Sequence, residues 1–202
     1  MLSPNKKPSE TRHRILESAY CEMQKLGFQR ASLNSISAAA GVTKGALYHH
    51  FSNKTELAYA VVDELIKQEI YERWISPLET TPDPISMLCD LILDAQKCIT
   101  IDSILQSGCP LNNLSQEMSL ADEGFRVRLK FIYSIWCDGI SEALSKGQIQ
   151  GIVTQDIKPK NTAVFIISSI EGILGILKTT QDDHALSACV TALVHYLTSL
   201  RN

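Results

Sequence analysis

Seven residues within a twelve-residue span share one kind of chemistry: Thr43, Lys44, Gly45, Ala46, Tyr48, His49 and Lys54. Lysine, tyrosine and histidine side chains donate to phosphate oxygens, contacts that fix register but carry no base information. A lysine at a helix start also reaches guanine O6 and N7, and an alanine can meet a thymine methyl. Gly45 and Ala46 are small enough to let a backbone come close to base edges. We therefore assign Thr43, Lys44, Gly45 and Ala46 to close approach in a DNA groove. Tyr48, His49 and Lys54 are assigned to phosphate. Taken singly, each has an ordinary reading: Lys54 as a solvated charge, Tyr48 as a core aromatic. Neighbouring Phe51 reads as core. The ordered combination carries the DNA reading.

Other chemistry is less well supported. The adjacent His49 and His50 lie about 100° apart on a helix, so a shared metal is not expected. Six cysteines (21, 89, 98, 109, 137 and 189) form no Cys-x-x-Cys pair and no zinc spacing. Most of them read as small buried hydrophobes in a reducing compartment. There is no Gly-x-Ser-x-Gly, Gly-x-Gly-x-x-Gly, phosphate loop or His-Glu-x-x-His. We therefore expect no enzyme activity, no cofactor and no metal.

The elements that must position these residues are helical, and the fold class reads as all-α. Ile15, Leu16, Ala19, Tyr20, Met23 and Leu26 form a stripe at helical period, with Ser9 as cap and Gly27 as a left-handed stop. Ser32 caps a short helix that Gly41 ends, Thr43 caps the next, and Asn53 caps a long one with Glu56 at the capping-box position. That long helix is predicted to end near Ile75, before Pro77. Asp83-Pro84 starts a helix reaching about Ile101. A short helix is expected near Leu114–Ser119, and another from Ala121-Asp122 to Lys146, stopped by Gly147. In the latter, Val127, Phe131 and Ile135 add a second apolar face, which predicts a central position. Residues 148–157 read as loop, and two helices follow, near 159–178 and 182–200. No segment reads convincingly as a strand.

Charge is divided along the chain. The net charge is −3, but residues 1–60 carry +4 and the remainder −7. A basic head on an acidic body suits a module that meets a polyanion. No apolar run approaches the ~20 residues of a membrane span, and the N-terminus lacks the apolar stretch of a signal peptide. The expected location is cytoplasmic, without membrane attachment.

The segment Leu33 to Leu57, LNSISAAAGVTKGALYHHFSNKTEL, reads as two short helices joined at Ala40-Gly41-Val42. Leu33, Ile36, Ala40, Val42 and Leu47 would fix their angle, the plan of a helix-turn-helix. With Arg12-His13-Arg14-Ile15-Leu16-Glu17-Ser18-Ala19, Gly27-Phe28, Ile36 to Val42 and Lys44 to Leu57, residues 10–60 resemble the signature of the TetR family of transcriptional regulators. The one departure is Ala46, where the family often has a hydroxyl residue; it bears on one contact, not on the fold. The resemblance implies a nine-helix fold, a homodimer on double-stranded operator DNA, and release by a small-molecule inducer. We divide the chain into a DNA-binding domain, 1–55, and a ligand-binding and dimerisation domain, 56–202. Repression is the expected action, with activation as the alternative.

Resemblance fixes less in the second part. Gly108-Cys109-Pro110-Leu111-Asn112-Asn113-Leu114 looks like one subgroup's Gly-Cys-x-x-x-Asn-Leu stretch, which draws attention to Cys109 and Asn113. Tyr133 and Trp136 supply aromatic area for a pocket formed by the helices at 84–101, 114–119 and 122–146, although core packing is the default for such rings. Cys109 precedes a helix start, where the dipole favours a thiolate. A repressor sensing electrophiles or oxidants through Cys109 is therefore the alternative to a non-covalent ligand. Glu171, in an otherwise apolar helix, needs a partner: a pair across the dimer is our first choice, and a ligand is the alternative. Ser168, Gly172 and Gly175 would allow close helix approach between subunits, with Cys189 and Leu197 on the facing helix.

Overall fold

The computed structural model describes residues 8–98 and 108–202. The basic pair Lys6-Lys7 and the predicted helix end near Ile101 lie outside the described residues, as do the side chains of Ser9 and Cys98. Among the described residues there are nine helices: α1 (Pro8–Arg30), α2 (Leu33–Ala39), α3 (Lys44–His50), α4 (54–79), α5 (Pro84–Cys98), α6 (Pro110–Met118), α7 (Glu123–Ile149), α8 (Pro159–Thr180) and α9 (Asp183–Ser199). The one extended feature among the described residues is an isolated bridge between Val153 and Arg201.

Most predicted helix starts are made by the expected caps. Asn53 accepts from the Glu56 N–H at 2.9 Å. Asp83 Oδ1 accepts from the Ile85 and Ser86 N–H groups, each at 3.1 Å. Several boundaries differ. α1 begins at Pro8, so Ser9 lies inside its first turn. Gly27 (φ 78°, ψ 171°) kinks α1 instead of ending it, and a last short turn runs to Arg30. α4 continues through Pro77 to Glu79 because a π turn at Tyr71–Ile75 precedes the proline. There the Ser76 N–H bonds to the Tyr71 carbonyl, five residues back. Wider turns of this kind take up a proline that would otherwise break a helix. A second π turn spans Val61–Ile66.

α6 starts at Pro110, with the proline in the first turn, and not near Leu114. α7 runs past Gly147, which is buried in it. A Cβ there would meet Val153 Cγ2 at 2.5 Å and Pro84 Cγ at 2.8 Å. Gly147 is thus a close-approach residue and not a stop. Gly147→Ala should cost about 1–3 kcal/mol by overpacking, read as a lower urea midpoint at unchanged slope; an unchanged midpoint would show that Val153 gives way freely.

The chain folds into two compact units. The first comprises Met1–Gln68 and Pro110–Leu129, and so adds α6 and the start of α7 to the N-terminal helices. Ile15, Leu16, Ile36, Leu47, Leu57 and Phe125 are fully buried in it. Phe125 meets Phe28 and Tyr59 edge-on, with centroids 4.9 and 5.1 Å away. The Arg12 guanidinium binds the Glu64 carboxylate with both nitrogens, and that hydrogen bonding holds the Glu64 carboxyl below its usual range.

The second unit comprises Glu69–Cys109 and Lys130–Asn202. Trp74 and Trp136 pack there with centroids 5.5 Å apart. Its C-terminus is clasped: Thr154 donates to the Leu200 carbonyl at 2.9 Å, and Asn202 donates to the Ile152 carbonyl at 3.0 Å. The expectation for the second face of α7 is corrected. Val127 and Phe131 are 53% and 55% exposed, so in a single chain that face is open to solvent.

Candidate nucleic-acid interface

The geometry of α2 and α3 follows from short-range chemistry. Ser32 Oγ accepts from the Asn34 N–H at 3.2 Å and starts α2. Gly41, at φ 63°, sits in the left-handed region that the turn requires. The turn is closed by Gly41 N–H to Ala38 O and Val42 N–H to Ser37 O, both at 3.0 Å. Thr43 Oγ1 then accepts from the Ala46 N–H at 3.2 Å and starts α3. Ile36 and Leu47, both with no exposed surface, pin the two helices to the core. What remains outside is one polar face.

Thr43, Lys44, Gly45, Tyr48 and His49 are exposed on that face, and Ala46 is half-buried. Tyr48 is 53% exposed, so it is not a core aromatic, whereas Phe51, at 6%, is. Beyond the Thr43 hydroxyl at 3.9 Å, no atom would meet a Cβ at Gly45, so this stretch of backbone is open to a partner. The His49 and His50 rings touch edge-on at 5.3 Å. Lys54 is placed differently. Its Nζ donates to the Gln29 and Ala31 carbonyls, both at 2.9 Å, and sits 4.6 Å from the Phe28 ring centroid.

The polar ties between the N-terminal helices and residues 110–129 were not foreseen. Glu117 accepts from the Phe28 N–H at 2.7 Å and the Gln29 N–H at 2.8 Å. Tyr59 donates to Asp122 at 2.6 Å, which raises the phenol and lowers the carboxyl from their ordinary values. Arg128 binds Asp63 at 2.9 Å and lies 4.0 Å from the Tyr59 ring centroid. These partners are 63 or more residues apart in sequence, and no local pattern announces them.

The four expected ligand residues are divided between the units: Asn113 lies in the first, and Cys109, Tyr133 and Trp136 in the second. Trp136 is 1% exposed, and among the described residues its Nε1–H has no hydrogen-bond partner. Tyr133 and Asn113 are half-buried. The Cys109 thiol donates to Glu171 Oε1 at 3.2 Å. A small depression in the first unit, with about 10 Å³ of room for the centre of a water-sized sphere, is lined by residues that include Tyr20, Met23, Val61, Ile66 and Leu114. That is space on the order of one water, far short of a cavity that encloses a drug-sized ligand. Among the described residues, no three His, Cys, Asp or Glu side chains cluster as a metal site.

On α8, Ser168, Gly172 and Gly175 are exposed, and among the described residues nothing lies within 4 Å of a Cβ added at either glycine. Val164, Phe165 and Ile176 are about half exposed on the same stretch. Cys189 is half-buried, and Leu197 is fully buried within the second unit. α8 is long and apolar enough to cross a membrane by length and composition, and 33% of its most apolar window is buried.

Residues 15–61 match the sequence profile described as "Bacterial regulatory proteins, tetR family", and residues 84–193 match "Tetracyclin repressor-like, C-terminal domain". An uncharacterized HTH-type transcriptional regulator in the lacX 3'region of Lactococcus lactis subsp. lactis is 31% identical over 180 residues, covering 88% of each chain. The HTH-type transcriptional regulator TtgR of Pseudomonas putida is 28% identical over 168 residues, covering 82% of this chain and 79% of its own. A transcriptional regulator from Cytophaga hutchinsonii, solved as a crystal structure, shares the fold with a TM-score of 0.84 at 21% identity, covering 98% of both chains.

Proposed function

The chain belongs to the TetR family of bacterial transcriptional regulators, and on that premise we propose that it is a repressor that binds a pseudo-palindromic operator as a homodimer and is released by a small-molecule inducer. The observation that carries this reading is the open polar face of α3 on a capped, core-pinned helix-turn-helix. Lys44 reads base edges, and Tyr48 and His49 hold phosphates. Lys54, which is used on backbone carbonyls, holds the head together. Residues 1–55 serve DNA and residues 56–202 serve ligand and partner. The repressor works in the cytoplasm, where its DNA is. Anisotropy titrations on a duplex enriched by the protein itself test the reading. Log affinity should fall linearly with log salt, as counterions leave the phosphates; a flat salt dependence would contradict it.

Two copies pair through the open stripe Val164, Phe165, Ser168, Gly172, Gly175 and Ile176. These residues recur at helical spacing and are apolar or small, which suits a self-complementary interface. The inducer binds without a covalent bond, and Trp136 offers its indole N–H to it. The two tryptophans of the chain pack together inside the second unit, so intrinsic fluorescence reports occupancy. Screening compounds for a shift in that emission should find ligands whose effect Trp136→Phe abolishes. A compound that releases DNA equally well from Trp136→Phe would remove the residue from the site.

A further inference from the structure

We propose, resting on the DNA-binding reading above, that Glu117 is a positioning residue for operator recognition: it clamps the turn at residues 27–31 and thereby joins α6 to the DNA-reading head. Gly27 leaves the helical path at φ 78° and ψ 171°, which only glycine adopts readily. Each oxygen of the Glu117 carboxylate takes one of the two following amides, Phe28 at 2.7 Å and Gln29 at 2.8 Å. The glycine is needed twice, because a Cβ at position 27 would stand 2.6 Å from Glu117 Oε2.

The other side of the same turn is held from α4. Lys54, its first residue, donates to the Gln29 and Ala31 carbonyls at 2.9 Å. The turn thus presents its N–H groups to a carboxylate from α6 and its carbonyls to an ammonium from α4. Ser32, next in the chain, starts α2, and Lys54 follows α3 by three residues. A shift of α6 that withdraws Glu117 loosens the turn on which α2 and the α4 N-terminus are aligned. The Glu117 carboxylate is bonded to the amides of the turn, so it acts through the turn and not on DNA.

The sign of the effect separates this role from simple electrostatics. Removing an acidic group from a DNA-binding body should strengthen DNA binding of every kind. Positioning predicts the opposite for the cognate duplex alone. The test uses the full chain and a duplex enriched from a random library by the wild type, beside a scrambled duplex. Glu117→Gln keeps the volume and one acceptor oxygen; Gly27→Ala expels the carboxylate from the other side. Both should lose about tenfold or more on the enriched duplex, the scale of losing one hydrogen bond to a charged group. Both should hold or gain affinity for the scrambled one, and the Phe28 and Gln29 amides should exchange with deuterium faster. Equal binding of the enriched duplex by Glu117→Gln overturns the inference. A parallel loss on both duplexes also overturns it, since that marks general unfolding. A wild type that enriches no duplex overturns the repressor reading and this inference with it.

Discussion

Lys44→Ala should lower affinity for the enriched operator by about 5- to 150-fold, or ~1–3 kcal/mol, and relax the base preference at one position in each half-site. Lys44 is exposed at the first position of α3, beside a Thr43 hydroxyl already committed to the Ala46 amide. Its exposed ammonium is therefore open to a partner outside the protein, which we propose is a purine edge. Tyr48→Ala should behave differently. The tyrosine is one turn further along, on the same open face, and its hydroxyl suits a phosphate. Its loss should weaken enriched and scrambled duplexes by similar factors and leave the preferred sequence unchanged. Competition titrations with single-base variants of the operator measure both effects. A Lys44→Ala protein with wild-type base preference would show that α3 is oriented differently in the groove.

The second large effect concerns assembly. Gly172→Arg should give a folded monomer and reduce operator affinity by about 10²- to 10⁴-fold, because the second half-site no longer adds its effective concentration. Among the described residues nothing lies within 4 Å of a Cβ built at position 172 in one chain, so the added side chain starts from an open position. Within the helix, arginine is a better residue than glycine by roughly 0.7–1 kcal/mol. The subunit's own fold is thus not the part at risk. Sedimentation at micromolar concentration should show half the wild-type mass with helical circular dichroism retained. A Gly172→Arg dimer would move the interface elsewhere, and a wild-type monomer would remove it.

What the sequence made legible was local. Ser32, Gly41, Thr43 and Asn53 act over two or three residues, and each makes the turn or cap that its type suggests. The polar face of α3 follows from those caps and from Ile36 and Leu47. Boundaries governed by tertiary contacts were misread. Gly147 reads as a helix stop unless one knows that Val153 and Pro84 press against it. Pro77 reads as a break unless one sees the π turn before it. Val127 and Phe131 read as a buried face, yet they stand open in a single chain. Lys54 looks like any solvated lysine until its carbonyl partners more than twenty residues away are in view. Glu117 carries no sequence signal, because its amide partners are 88 and 89 residues distant.

The packing units also differ from a cut along the chain, since α6 and the first residues of α7 fold with the N-terminal helices. That places the clamp at Glu117 and the Tyr59–Asp122 and Arg128–Asp63 contacts inside the DNA-binding body. The division of roles that we propose at residue 55 is thus not a division of packing, since the first unit holds residues from both sides of it.

The most direct test of the central claim is selection of duplexes from a random library by the full-length wild-type protein at about 0.15 M salt, where surface charges act over ~8 Å. We expect enrichment of a two-fold symmetric sequence. Its half-sites should be one or more helical turns apart and protected together in footprinting. Enrichment of no sequence, with all duplexes bound equally, would contradict it.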